Sequence, residues 1–167
     1  MATATYVPIA TQTLGSGASS ITFSSIPSGY IDLRLVFSIS GIVNSGDNFF
    51  LQFNGDTGAN YSHTHLYGNG SAAGSSNNTS VNYAFLTDNA TGPNAASPKL
   101  AIVDIFSYTG STNKTLLSTL AFDQNGSGGI NAGINLWRNT SALTSIKLFN
   151  SGPDNFSVGT TATLWGI

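Results

Sequence analysis

The chain contains no cysteine and no glutamate, and only 7% of its 167 residues are charged. Each shortage excludes something. Without cysteine there is no disulfide, thiolate or cysteine–zinc chemistry, and redox state says nothing about compartment. Without glutamate, and with few strong helix formers besides alanine, long helices lack their usual material. Charge lies far below the usual ~25%, so neutral hydroxyls and amides must cover the surface. The cations Arg34, Lys99, Lys114, Arg138 and Lys147 are scattered and form no basic stripe, which argues against a nucleic-acid partner. No apolar run reaches the ~20 residues of a transmembrane helix, so no membrane partner is expected. The N-terminal MATATYVPIA has neither the charged nor the long apolar region of a secretory signal. A net charge of only −2 with moderate hydrophobicity is not the composition of disorder.

What remains is β-forming. In Tyr30–Ser40, the apolar Ile31, Leu33, Leu35, Phe37 and Ile39 alternate with Asp32, Arg34, Val36, Ser38 and Ser40. That period of two predicts a half-buried strand in the middle of a sheet. Further strands are predicted at Ile21–Ile26, Phe49–Phe53, Val81–Leu86, Lys99–Tyr108, Thr115–Phe122, Ile130–Trp137, Leu143–Phe149 and Thr160–Ile167. Residues 1–14 read as an N-terminal arm or edge strand, because Pro8 cannot donate to a ladder. Ala59–Tyr67 reads as extended or as a short helical turn. Gly41–Asn48, the polar Gly68–Ser80 and Asp88–Pro98 read as loops. Strands separated by turns every ~10–15 residues predict an all-β chain: one antiparallel β-sandwich over 15–167, a jelly roll of eight to ten strands. An immunoglobulin-like sandwich is the second choice, without its Cys–Trp–Cys signature.

Chemistry-bearing residues are few. His63 and His65, two apart on one strand, would point the same way and could bind zinc with a third ligand from Asp47, Asp56 or elsewhere. With no cysteine or glutamate in the motif, they read as a surface or interface pair. Asp104 sits within an apolar strand and reads as an ion-paired or backbone-bonded acid. Asp123–Gly129 (DQNGSGG) has one acid where a calcium loop needs several, and reads as a turn. No G-x-S-x-G is present, and the other acids lie in turns or face outward, so neither a hydrolase triad nor a glycosidase pair is expected. Sequons such as those at Asn60, Asn89 and Asn139 are expected by chance in a chain this rich in Asn, Ser and Thr. Of the adjacent Trp137 and Arg138, one should face the core; Trp165 lies across the pleat from Leu164. Lys99–Tyr108 is apolar on both faces, which suggests burial between layers or a subunit contact. Tyr6, Val7, Ile9 and Leu14 of the N-terminal segment and Lys99, Val103 and Ile105 of that strand are the candidate interface residues.

Four phrases stand together: SITFSSIPSGYIDLRLVFSISG (Ser20–Gly41), FNGDTGANYSHTHLYGNGS (Phe53–Ser71), INLWRNTSALTSIKLF (Ile134–Phe149) and FSVGTTATLWGI (Phe156–Ile167). Through them the chain resembles a family of small virion proteins of tailed bacteriophages, including phages of cyanobacteria. FNGD-x-G-x-NY and LWR-x-TSA-x-TSI are the more specific parts. The resemblance implies a jelly-roll module that serves as a capsid cement (decoration) protein or as a module of a tail fibre. It implies no cofactor and supplies no catalytic residues. A domain ending at Ile167 without a fibrous shaft favours the cement protein. The expected partners are the major capsid protein and copies of itself, as a trimer, on a capsid surface assembled in a host cytoplasm. The alternative is a fibre module recognising host glycan, with Tyr61, Tyr67 and Tyr83 as sugar platforms.

Overall fold

In the computed structural model, residues 5–40, 48–87, 98–123, 125–126 and 128–167 are described. Asp47, Asn89, and nearly all of the loops expected at 41–48 and 88–98, lie outside them. The described residues form twelve strands and no helix, slightly more strands than expected. In chain order these are β1 (Val7–Thr13), β2 (Ser20–Phe23), β3 (Leu33–Ile39), β4 (Phe49–Phe53), β5 (Tyr61–Gly68) and β6 (Ala73–Val81), then β7 (Ala84–Phe85), β8 (Lys99–Phe106), β9 (Lys114–Phe122), β10 (Gly129–Trp137), β11 (Ile146–Asn150) and β12 (Thr161–Gly166). A wide sheet of eight runs β1-β12-β3-β8-β9-β10-β5-β6, and a narrow sheet of four runs β2-β11-β4-β7. All pairings are antiparallel.

With β5–β6 and β9–β10 set aside, the remaining strands form β1-β12-β3-β8 and β2-β11-β4-β7, and every step along the chain crosses between the two sheets except β4 to β7. That interleaving of two Greek keys is the jelly-roll connectivity. The two extra hairpins join the wide sheet beyond β8 and leave the order of the others unchanged.

The core forms because each central strand buries one face. In β3, Leu33, Leu35, Phe37 and Ile39 are buried and Arg34, Val36 and Ser38 are not. The strand is shorter than the predicted Tyr30–Ser40. Its first turn is diverted, with Ile31 and Asp32 donating their amides to the Ile167 carbonyl, and Ile31 left 75% exposed. β3 lies between β12 and β8, inside the sheet as expected. From the narrow sheet, Phe49, Leu51, Phe53, Ile146 and Leu148 complete the core. All of β4 is buried, because Phe50, on the opposite face from Phe49, stacks on Tyr83 at 3.9 Å.

The segment read as a loop at Gly68–Ser80 instead contains β6. It has no hydrophobic alternation because neither of its faces is covered. The N-terminal segment is an edge strand of its own sheet: β1 pairs with β12, with a register shift between Pro8 and Ala10.

At the same end of β12, where Gly166 pairs with Val7, the Tyr30 ring lies so close that its carbons would clash with a Cβ added at Gly166. The nearest atoms are Cγ and the two Cδ at the root of the ring, so moving the far end of the side chain would not relieve the clash. Gly166→Val is expected to cost about 1–3 kcal/mol, read as a lower urea midpoint with an unchanged slope.

Candidate functional site

Two places concentrate the distinctive residues, and they differ in kind. The first unites the two specific motifs. Asn54 ends β4 at a φ of 52° and Gly55 continues at 68°, turning the chain back over the sheet. Asn54 Oδ1 accepts the amides of Thr144 and Ser145, and its Nδ2 donates to the Ala142 carbonyl. Asp56 accepts from the Gly58 amide at 2.9 Å, from Asn60 Nδ2 and, at 2.8 Å, from Trp137 Nε1. Arg138 donates to the carbonyls of Ala59 and Tyr61. Trp137 and Tyr61 are fully buried and stack, and the Tyr61 hydroxyl accepts the Phe53 amide.

Electrostatics follow the bonds. Burial alone would raise the Asp56 carboxyl, but the Trp137, Asn60 and Gly58 donors outweigh it and hold it below the ordinary carboxylate value. Burial pushes the Tyr61 phenol up to about 12. These polar groups satisfy one another, so this cluster is a clasp between two segments rather than a receptor. Asp56, considered as a third zinc ligand, is committed to it.

His63 and His65 are buried, not on the surface. Each stacks on Phe85 of β7 with ring centroids 4.6 Å apart. Among the described residues no three metal-ligating side chains gather. Asp123 Oδ1 accepts the Gly126 amide, as in the expected turn. Of the sugar platforms proposed from sequence, Tyr61 is buried, Tyr83 stacks on Phe50, and Tyr67 folds over Gly74 while staying 39% exposed.

The second place is the outer face of the wide sheet. On β8 the sequence pattern left two apolar faces, and the structure decides between them. Ala101, Val103 and Ile105 point into the core, and so does Lys99, whose ammonium lies over the Phe49 and Phe122 rings. Lys99, Val103 and Ile105 are therefore corrected as interface candidates: their own sandwich covers them. Leu100, Ile102 and Phe106 face outward at 57%, 44% and 43% exposure.

On the next strands Leu117, Ile130, Ile134 and Leu66 are also about half exposed or more. β10 thus turns its apolar side to solvent. Its inner side carries Asn131 and Asn135 because β7 needs partners there. Asn135 accepts the Phe85 amide and donates to the Phe85 carbonyl, bonding it as a neighbouring strand would. Asn131 donates to the Thr87 hydroxyl.

Register sets these outward residues in cross-strand rows. Leu100 faces Ala121, which faces Ile130; Asp104 faces Leu117, which faces Ile134. The patch spans four strands, roughly 20 Å by 20 Å at the usual spacings, comparable to the ~300–600 Å² of the largest apolar patch on a typical monomer, which is often functional. Its charges are one pair: Arg34 donates to Asp104 through Nε at 2.6 Å and Nη2 at 2.8 Å. The bond to Asp104 raises the guanidinium above its ordinary value, against burial.

Arg34 also donates to the Tyr6 hydroxyl and lies over the Tyr6 ring. Tyr6, Arg34, Val36, Thr163 and Trp165 line an open cleft of about 370 Å³ at this end of the face. Tyr6 is 43% exposed, whereas Val7, Ile9 and Leu14 are half-buried, with Ile9 and Leu14 packed on their own core. No family model, curated protein or solved structure matches the chain.

Proposed function

We propose that this chain is a non-catalytic structural protein of a bacteriophage virion, a cement protein that packs on the outside of the major capsid shell. The observation that carries the reading is the outer face of the wide sheet. It is broad, apolar and neutral, and its single ion pair is closed on itself. Such a face gains by excluding water against another protein surface, at ~25 cal/mol per Å² of apolar area, and buries no unpaired charge in doing so. The jelly-roll framework and the resemblance carried by the phrases quoted above support the choice of the shell as partner. On a shell the contact recurs many times, so a modest interface stabilises the whole particle.

The test is binding of the purified chain to phage capsids that lack it. Saturable occupancy on the outer surface by cryo-electron microscopy, with a higher melting temperature of the particle, is the expected result. Capsids left bare at high protein concentration sink the reading.

The cleft at Tyr6, Arg34 and Trp165 favours a second reading, a fibre module that recognises glycan. Aromatic faces beside a fixed guanidinium–carboxylate pair suit a sugar. Under the cement reading, a glycan array gives no hits with the wild-type chain. Binding that is lost in Trp165→Ala would favour the fibre.

A further inference from the structure

Four strands end the two sheets, and three of them are poor templates for another strand. β7 has two residues and β2 four. β1 carries Pro8 and a register shift, both of which blunt an edge. β6 is different. It runs nine residues, AGSSNNTSV, without proline or charge, and its residues 75–80 are all exposed. Its pairing to β5 is regular over 73–78 and is interrupted only beyond Asn78. Along its far side, alternate amide and carbonyl groups point away from the sheet.

We infer that the β6 edge is a homomeric contact, where β6 pairs antiparallel with β6 of a second copy. The strand is its own complement. A two-fold axis normal to the sheet sets residues of the same facing against each other, so Ser76 lies opposite Ser76 of the second copy or two residues away. Nothing in the strand repels its copy, since like charges facing across a ladder destabilise it and here there are none. Serine, threonine and asparagine side chains facing each other can also hydrogen-bond. The same axis leaves both outer faces on one side, so the two apolar faces that begin at Leu66 lie side by side, separated by the two polar β6 strands. A closed threefold ring needs two different complementary patches. A self-complementary edge gives a two-fold dimer instead of the trimer expected from the resemblance. The inference concerns the free chain and stands apart from the shell reading.

The experiment is sedimentation of the purified chain from about 1 µM to about 1 mM, with Ser76→Lys and Ser76→Glu beside it. Circular dichroism confirms that each variant is folded. The wild type is expected to dimerise, and its β6 amides to exchange more slowly as concentration rises. Each variant alone should dissociate about twofold to fivefold more readily, since like charges then lie close across the joint. An equal mixture of the two should restore the dimer. A wild type that stays monomeric throughout overturns the inference. So do single variants that dimerise like the wild type, or a mixture no tighter than either variant alone.

Discussion

Under the proposed cement function, Ile102→Lys is expected to abolish shell binding while leaving the chain folded. Ile102 is 44% exposed in the middle of the outer face, between Val36 of β3 and Thr119 of β9. In the free chain a lysine there keeps its ammonium in water, so the melting temperature should stay within about 2 °C of wild type, as for an ordinary surface substitution. In the complex the same ammonium is buried against an apolar surface without a partner. That costs about 3–5 kcal/mol, a loss of at least about 100-fold in affinity. Ser28→Lys, exposed in the turn between β2 and β3 and away from both the outer face and β6, serves as the control for added charge and should bind the shell within a few-fold of wild type. Equal losses in both variants would show that the outer face is not the contact.

The second large effect concerns stability. Asp56→Ala is expected to cost about 3 kcal/mol, since it removes the acceptor for Trp137, Asn60 and the Gly58 amide together. For a chain of this size that is about 6–12 °C in melting temperature. The pH dependence identifies the cause. The folded-state pKa of Asp56 is held below its ordinary value of 3.8. The carboxylate's contribution is therefore complete above that value and is lost as pH falls through the lower, folded one. The difference between wild type and variant should be constant near neutrality and shrink on acidification below about pH 4. A difference unchanged down to pH 2 would mean that the loss is one of packing, not of the ionised acceptor.

The particular strands show what a sequence pattern can and cannot carry. β3 was legible because it lies inside a sheet with one face buried, and its side chains alternate accordingly; β8 was legible as a continuous apolar run bounded by polar segments. β6 was hidden for the same reason in reverse: periodicity records burial, and a strand covered on neither side has none. β10 showed a correct strand whose apolar side faces solvent, because Asn135 is needed inside to complete the edge of β7 and Asn131 to bond Thr87 just beyond it. Choosing a face of β8 had the same difficulty. Local pattern gives two faces, and only the position of the narrow sheet decides which one is core. The clasp was legible as two motifs but not as a contact. Nothing local places Asp56 against Trp137, which lies 81 residues away along the chain.

The closed Arg34–Asp104 pair has a consequence for the medium in which the protein can work. Attraction between exposed charges fades as dissolved ions shorten the Debye length from about 30 Å at 0.01 M to about 3 Å at 1 M. Apolar burial does not fade in this way, and strongly hydrated anions strengthen it. Under the proposed function the face would hold by neutral contact, with its one ion pair already satisfied, and would keep that contact from fresh water to brine. A coat built on it would tolerate changes in salinity that loosen coats joined by opposite charges.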